Sequence, residues 1–226
     1  MPEVIAWPCS LTRPMDVSYF IQWTSRDAGA NLAGVAQVLA PGMGAWRVDI
    51  TIPRDFDGTR VKELEALVSE MRGRYNVANL CICDPYKYGP RVSPVQTPFS
   101  DGTWFSDGTG FTDPAAGTQP LLTSAAVAAG DNELYVDLTN PVRPSLRIGD
   151  MFSVNGFLYR VVRRNAAGWV KFEPSARRAI PSGTALTTNP PRFYGRFIDD
   201  MQGQRTREML KWGQSITISF IEAFDR

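Results

Sequence analysis

One stretch of the chain, Asp57 to Asn76 (DGTRVKELEALVSEMRGRYN), spaces its apolar residues at the helical period. Val61, Leu64, Leu67, Val68 and Met71 share one side, while Lys62, Glu63, Glu65 and Glu70 fall on the others. Asp57 or Thr59 supplies a capping oxygen at the start, and Gly73 is placed for the stop. No other stretch carries a strong helical signal, so the remaining core must be built from strands. The composition suits that: 43% hydrophobic residues and 11% aromatic ones, punctuated by 17 Pro and 19 Gly. The expected fold is mainly β with one α-helix near residues 58–73.

The strands read from their alternation. GAWRVDITIP (Gly44 to Pro53) sets Trp46, Val48, Ile50 and Ile52 on one face and Arg47, Asp49 and Thr51 on the other. DVSYFIQW (Asp16 to Trp23) is dense in β-branched and aromatic residues, and NVANLCICDP follows the helix. Between the first two lies TSRDAGANLAGVAQVLAPGMG, small and mildly apolar. It reads as a short helix or a long excursion, and as a candidate arm toward a neighbouring subunit. Residues 86–125 form a connector rich in Pro and Gly.

A second β-rich block covers 126–188. NELYVDL alternates Leu134, Val136 and Leu138. IGDMFSVNGFLYRVVRRN predicts a hairpin about Asn155-Gly156, where both positions tolerate positive φ, and GWVKFEP and IPSGTALTT add further strands. The tail carries SITISFIEAF, which alternates Ile216, Ile218, Phe220 and Glu222 against Thr217, Ser219, Ile221 and Ala223. A terminal strand must pair, and the second block closes on itself. The expectation is therefore a split domain, 1–85 plus 189–226, with a small β-barrel inserted at 126–188.

The chemistry is narrowed by absence. The chain has 0 His, which removes Ser-His-Asp and Cys-His nucleophiles and every His-ligated metal. No phosphate-cradling glycine loop is present. The net charge of +1 gives no footprint for sequence-specific nucleic-acid binding. No apolar run reaches the length of a membrane span, and the first residues lack a signal-peptide pattern, so synthesis in a cytoplasm is expected. The 3 Cys are too few for a zinc site without histidine, and their odd number speaks against a disulfide framework. Cys9, Cys81 and Cys83 are expected as free thiols. Asp199-Asp200 reads as an exposed turn. Asp137, Asp150 and Glu173 have no motif to make them a catalytic set, so no enzyme activity and no cofactor is expected.

SDGTWFSDGTGF (Ser100 to Phe111) repeats one phrase. Asp101, Asp107 and Asp113 are six apart, but no Glu closes a calcium loop, so each Asp reads as a turn residue. Trp104, Phe105 and Phe111 sit in a connector with little core of its own. They are the candidate interface residues, set either to plug a seam between domains or to face a neighbouring subunit. Trp104, Phe105, Tyr159 and Trp169 are the rings available for stacking on a sugar.

The order of these parts resembles the distal tail protein of long-tailed bacteriophages. WRVDITIP…LEALVSEMRGRYNVANLCICDP is similar to its ring-forming, belt-making domain. LRIGDMFSVNGFLYRVVRRN…GWVKFEPSARRAIPSGTAL is similar to the module inserted in it, whose barrel has an OB- or galectin-like shape. The resemblance implies a structural virion protein at the phage tail tip. It implies a homo-oligomeric ring, typically a hexamer, that joins the tail tube protein to the hub and receptor-binding parts. Contact between the inserted barrel and a host-surface glycan is also implied as possible within the family. The alternatives are a carbohydrate-binding module of a tail tip, or another tail component such as a hub or terminator protein. No active-site residue comes with the resemblance.

Overall fold

The computed structural model describes residues 2–10, 16–30, 34, 36–39, 43–82, 95–107, 110–113, 120–138, 146–207 and 213–225. The fold is mainly β. The described residues form one helix, α1 (Gly58–Glu70), and the strands β1 (Val4–Ala6), β2 (Asp16–Gln22), β3 (Arg26–Ala30), β4 (Ala36–Leu39), β5 (Ala45–Ile52), β6 (Val77–Cys81), β7 (Val95–Thr97) and β8 (Phe111–Asp113). The chain continues through β9 (Leu121–Leu122), β10 (Glu133–Tyr135), β11 (Met151–Val154), β12 (Phe157–Arg164), β13 (Trp169–Glu173), β14 (Ala185–Leu186), β15 (Arg192–Phe197) and β16 (Ile216–Glu222). The chain divides into two compact units. One comprises 1–87, 156–158 and 192–226, the other 88–155 and 159–191.

The first unit is organised by a six-stranded sheet in the order β1-β6-β15-β16-β5-β2. Strand β1 runs parallel to β6 and the other pairings are antiparallel. The last strand of the chain thus lies in the middle of this sheet. Its register with β5 follows from the two alternating patterns. Ile218 faces Ile50 and Phe220 faces Val48, while Thr217 faces Thr51 and Ser219 faces Asp49 on the opposite face. Every inward residue of that set is buried. Burial of each such side chain contributes about 1.5–3 kcal/mol. Trp7 stands edge-on to Phe220 and Phe197, with ring centroids 5.5 and 6.3 Å away. Glu222 also points inward, and its carboxylate accepts from the Trp46 backbone N–H at 3.0 Å, which keeps a buried acid partnered.

Helix α1 starts at the N-cap Asp57, whose carboxylate accepts from the Thr59 N–H at 2.9 Å. It ends where Arg72 and Gly73 take positive φ. Val61, Leu64 and Met71 are buried, whereas Leu67 and Val68 are only half-buried. Described residues between β15 and β16 bond to the helix and to the segment just after it. Asp200 accepts from the Arg74 N–H at 2.9 Å, and Arg207 is paired with Glu65 on the helix. Asp199 and Asp200 are exposed, and Asp199 accepts within its own turn from the Met201 N–H and the Gln202 amide, both at 2.8 Å.

The thiols differ from the sequence expectation. Cys9 and Cys81 form a disulfide, their Cα atoms 5.5 Å apart. The parallel register of β1 on β6, continued by the Trp7 N–H to the Asn79 carbonyl, carries the chain past Cys81 just as it reaches Cys9. An odd count excludes full pairing but not one pair. Cys83 lies outside the described residues.

The second unit carries a four-stranded antiparallel sheet, β10-β13-β12-β11. Asn155 and Gly156 both have positive φ, as a two-residue turn between β11 and β12 requires. Phe152, Tyr159 and Phe172 pack ring to ring at 5.1–5.8 Å in its core. A short pair, β9 with β14, begins ahead of residue 126, where the sequence reading started this block. Leu138 is exposed rather than continuing the inward alternation of Leu134 and Val136.

Candidate functional site

The repeated phrase lies in a hairpin. Strands β7 and β8 pair with Thr97 opposite Phe111, and residues 98–110 connect them. Asp101 makes the first turn. One carboxylate oxygen accepts from the Thr103 hydroxyl at 2.7 Å and from the Thr103 N–H at 3.0 Å, and these bonds hold its carboxyl below the usual range. Gly102 takes φ +83, and its N–H closes onto the Phe99 carbonyl at 2.8 Å. Gly108 and Thr109 of the second turn lie outside the described residues. No group of three or more His, Cys, Asp or Glu among the described residues is arranged to hold a metal ion.

The turns present an aromatic cluster. Phe99, Phe105 and Phe111 meet edge to face, with centroids 4.9, 5.0 and 5.2 Å apart. Each such pair contributes about 0.5–1.5 kcal/mol beyond its burial, so the three rings order one another. They remain substantially open: Phe99 37%, Phe105 40% and Phe111 51%, with Trp104 beside Phe105 in sequence at 48%. Sequence reasoning named Trp104, Phe105 and Phe111 but missed Phe99. It precedes the repeated phrase, and only the pairing of β7 with β8 brings it to the others.

A second exposed feature is the segment read as a short helix or a long excursion. Its described residues form an excursion built of strands, with no helix among them. Strands β3 and β4 form a two-stranded ribbon, Arg26 opposite Leu39 and Asp27 opposite Val38, separate from the six-stranded sheet. Every ribbon side chain with a described burial is exposed, including Val38 at 62% and Leu39 at 65%. An open groove of about 330 Å³ lies at its root, lined in part by Thr24, Met43, Gly44, Ile221 and Phe224. Gly44 is required there, because a Cβ would strike the Ile21 side chain and stand 2.9 Å from the Trp23 ring.

The other sequence candidates separate. Tyr159 is buried in the core of the second unit, its hydroxyl accepting from the Arg177 N–H at 3.1 Å, so it is no platform for a sugar. The first three residues of β12, Phe157 to Tyr159, are all buried. Trp169 stays half-exposed, opposite the exposed Tyr135 on β10, with its indole N–H donating to Glu133 at 3.1 Å. Asp150 is buried and accepts from the Arg147 N–H at 2.7 Å, and burial pushes its carboxyl up. Glu173 accepts from the Asn132 amide at 3.4 Å. No helix among the described residues is long and apolar enough to cross a membrane. No protein-family model matches the chain, and the comparison with curated proteins returns no match.

Proposed function

We propose that this chain is a structural subunit of the tail tip of a long-tailed bacteriophage. In this reading copies assemble head to tail into a closed ring, a hexamer, that joins the tail tube to the hub and the receptor-binding parts. The observation that carries the reading is the β3–β4 ribbon. A two-stranded ribbon is marginal alone in water; every side chain of this one with a described burial is exposed, and Val38 and Leu39 gain burial against another surface. A ring subunit needs such a reach, because heterologous contacts close only when each copy grips the next. The sheet order supports it: among the described strands β2, seven residues long, is the last of the six-stranded sheet beside β5, the position at which a strand from another copy adds in this reading. The test is the mass of the purified chain in solution, beside that of a variant with 26–39 replaced by a short Gly-Ser link. The ribbonless chain is expected to assemble more weakly than the parent and to form no closed ring, and undiminished assembly would contradict the reading.

A second reading, carbohydrate contact through the inserted unit, is favoured by one observation: Tyr135 and Trp169 face each other across the ladder and are at least partly open. A glycan array with the full chain tests it. Binding lost in Trp169→Ala supports it, and no binding to any immobilised glycan removes it.

A further inference from the structure

Charge is unevenly distributed along the sequence of the second unit. Residues 92–142 contain six acidic residues and no Lys or Arg, whereas residues 143–191 contain eight basic residues and two acidic ones. Each half exposes apolar side chains amid its own charge. In the acidic half these are Trp104, Phe105 and Phe111, with Asp101 and Asp107 exposed in the same turns. In the basic half they are Ile148 at 66% and Val162 at 42%. The Gly149 N–H bonds to the Val161 carbonyl and the Val161 N–H to the Asp150 carbonyl, both at 2.9 Å. Ile148, in the turn ahead of β11, therefore lies near Val162 on β12, beside the exposed Arg147 and Arg163. Both surfaces are open in the single chain, so neither covers the other.

We propose that these surfaces are the two sides of one heterologous contact between copies of this chain. The aromatic cap of one copy seats on the Ile148–Val162 patch of the next, with Asp101 and Asp107 facing Arg147 and Arg163. The cap has the features of an anchor: rings already ordered by one another, which lose little freedom on docking, and an acidic rim. The patch has the matching apolar centre and the opposite rim. A second copy is the occupant because one sequence supplies both halves, and because cap and patch differ, the contact runs head to tail. The inference rests on the ring reading only in requiring self-association, and it adds an interface independent of the ribbon.

The test uses the full chain and sedimentation across a concentration series. Asp101→Lys with Asp107→Lys reverses the cap, and Arg147→Asp with Arg163→Asp reverses the patch. Each double variant sets like charge on like charge and is expected to raise the dissociation constant of self-association roughly tenfold or more. An equimolar mixture of the two is expected to assemble as the parent does, because copies can then alternate with every contact complementary. A chain carrying all four changes is expected to assemble as well, which excludes misfolding as the cause of the loss. Parent-like assembly of either double variant overturns the inference and leaves the ring reading standing, as does a loss that mixing fails to restore. Open chains of every length, restored by mixing, keep the contact and remove the closed ring. A parent chain monomeric at all concentrations removes both.

Discussion

Gly195 gives the sharpest test of the packing that holds the first unit together. It lies in β15, bonded to β6 on one side and β16 on the other, and its α-carbon faces the core. A Cβ added there would stand 2.5 Å from Cε1 of Phe193 and 3.0 Å from Cβ of Phe220. Carbon atoms in contact prefer about 3.5–4.0 Å, so Gly195→Ala is about 1 Å too close to a buried ring. Overpacking of this kind costs about 1–3 kcal/mol. Its backbone φ is not in the left-handed region, so alanine recovers about 0.4–1 kcal/mol by restricting the unfolded chain. The net expectation is a loss of about 1–2 kcal/mol, or a fall in Tm of about 2–4 °C for each kcal/mol at this chain length. Urea unfolding followed by tryptophan fluorescence reads it, since Trp7 and Trp46 are in the same core. Phe193→Leu removes the obstructing ring edge, so the double variant is expected to recover about 1 kcal/mol relative to additivity. A Gly195→Ala protein as stable as the parent, or strictly additive effects, would mean that Phe193 and Phe220 do not crowd this position.

Three further outcomes follow. Under denaturing, non-reducing conditions a thiol reagent is expected to find one reactive cysteine of the 3, and all of them after reduction; Cys9→Ser is expected to lower stability by up to about 4 kcal/mol, the chain-entropy value for a closed loop of 72 residues. Asp57→Ala removes the acceptor for the Thr59 N–H and is expected to cost about 1 kcal/mol in urea unfolding, with Asp57→Asn close to neutral. Asp150 has a folded-state carboxyl pKa raised above 3.8 by burial, so its contribution to stability is complete below that pH and is lost as pH rises through the raised value; Asp150→Asn keeps an acceptor for the Arg147 N–H and is expected to flatten that decline in a series of thermal melts.

What the sequence disclosed depended on whether a segment buries one face. Strands β5 and β16 do, and their alternation named the inward residues correctly from Trp46 to Phe220. Helix α1 does so along a narrower stripe, which is why Val61 and Leu64 are buried while Leu67 and Val68 are half-open. The β3–β4 ribbon buries no described side chain, so no period was imprinted on it and its form was not legible. The Asn155-Gly156 turn was readable because its backbone demands positive φ. The Cys9–Cys81 bond and the joining of Phe99 to Phe105 and Phe111 depend on pairings between distant segments, which local pattern does not encode. Tyr159 was open to either face of β12, and the core of the second unit claimed it.

In the proposed function, copies of this chain close into a ring through surfaces the single chain leaves open. Light scattering on the purified full chain, paired with negative-stain images of the same fractions, decides whether they do. One mass near six times 25.1 kDa is expected, with particles that have a central opening wide enough for duplex DNA. A single species of 25.1 kDa across the whole concentration series, with no ring in the images, would contradict it.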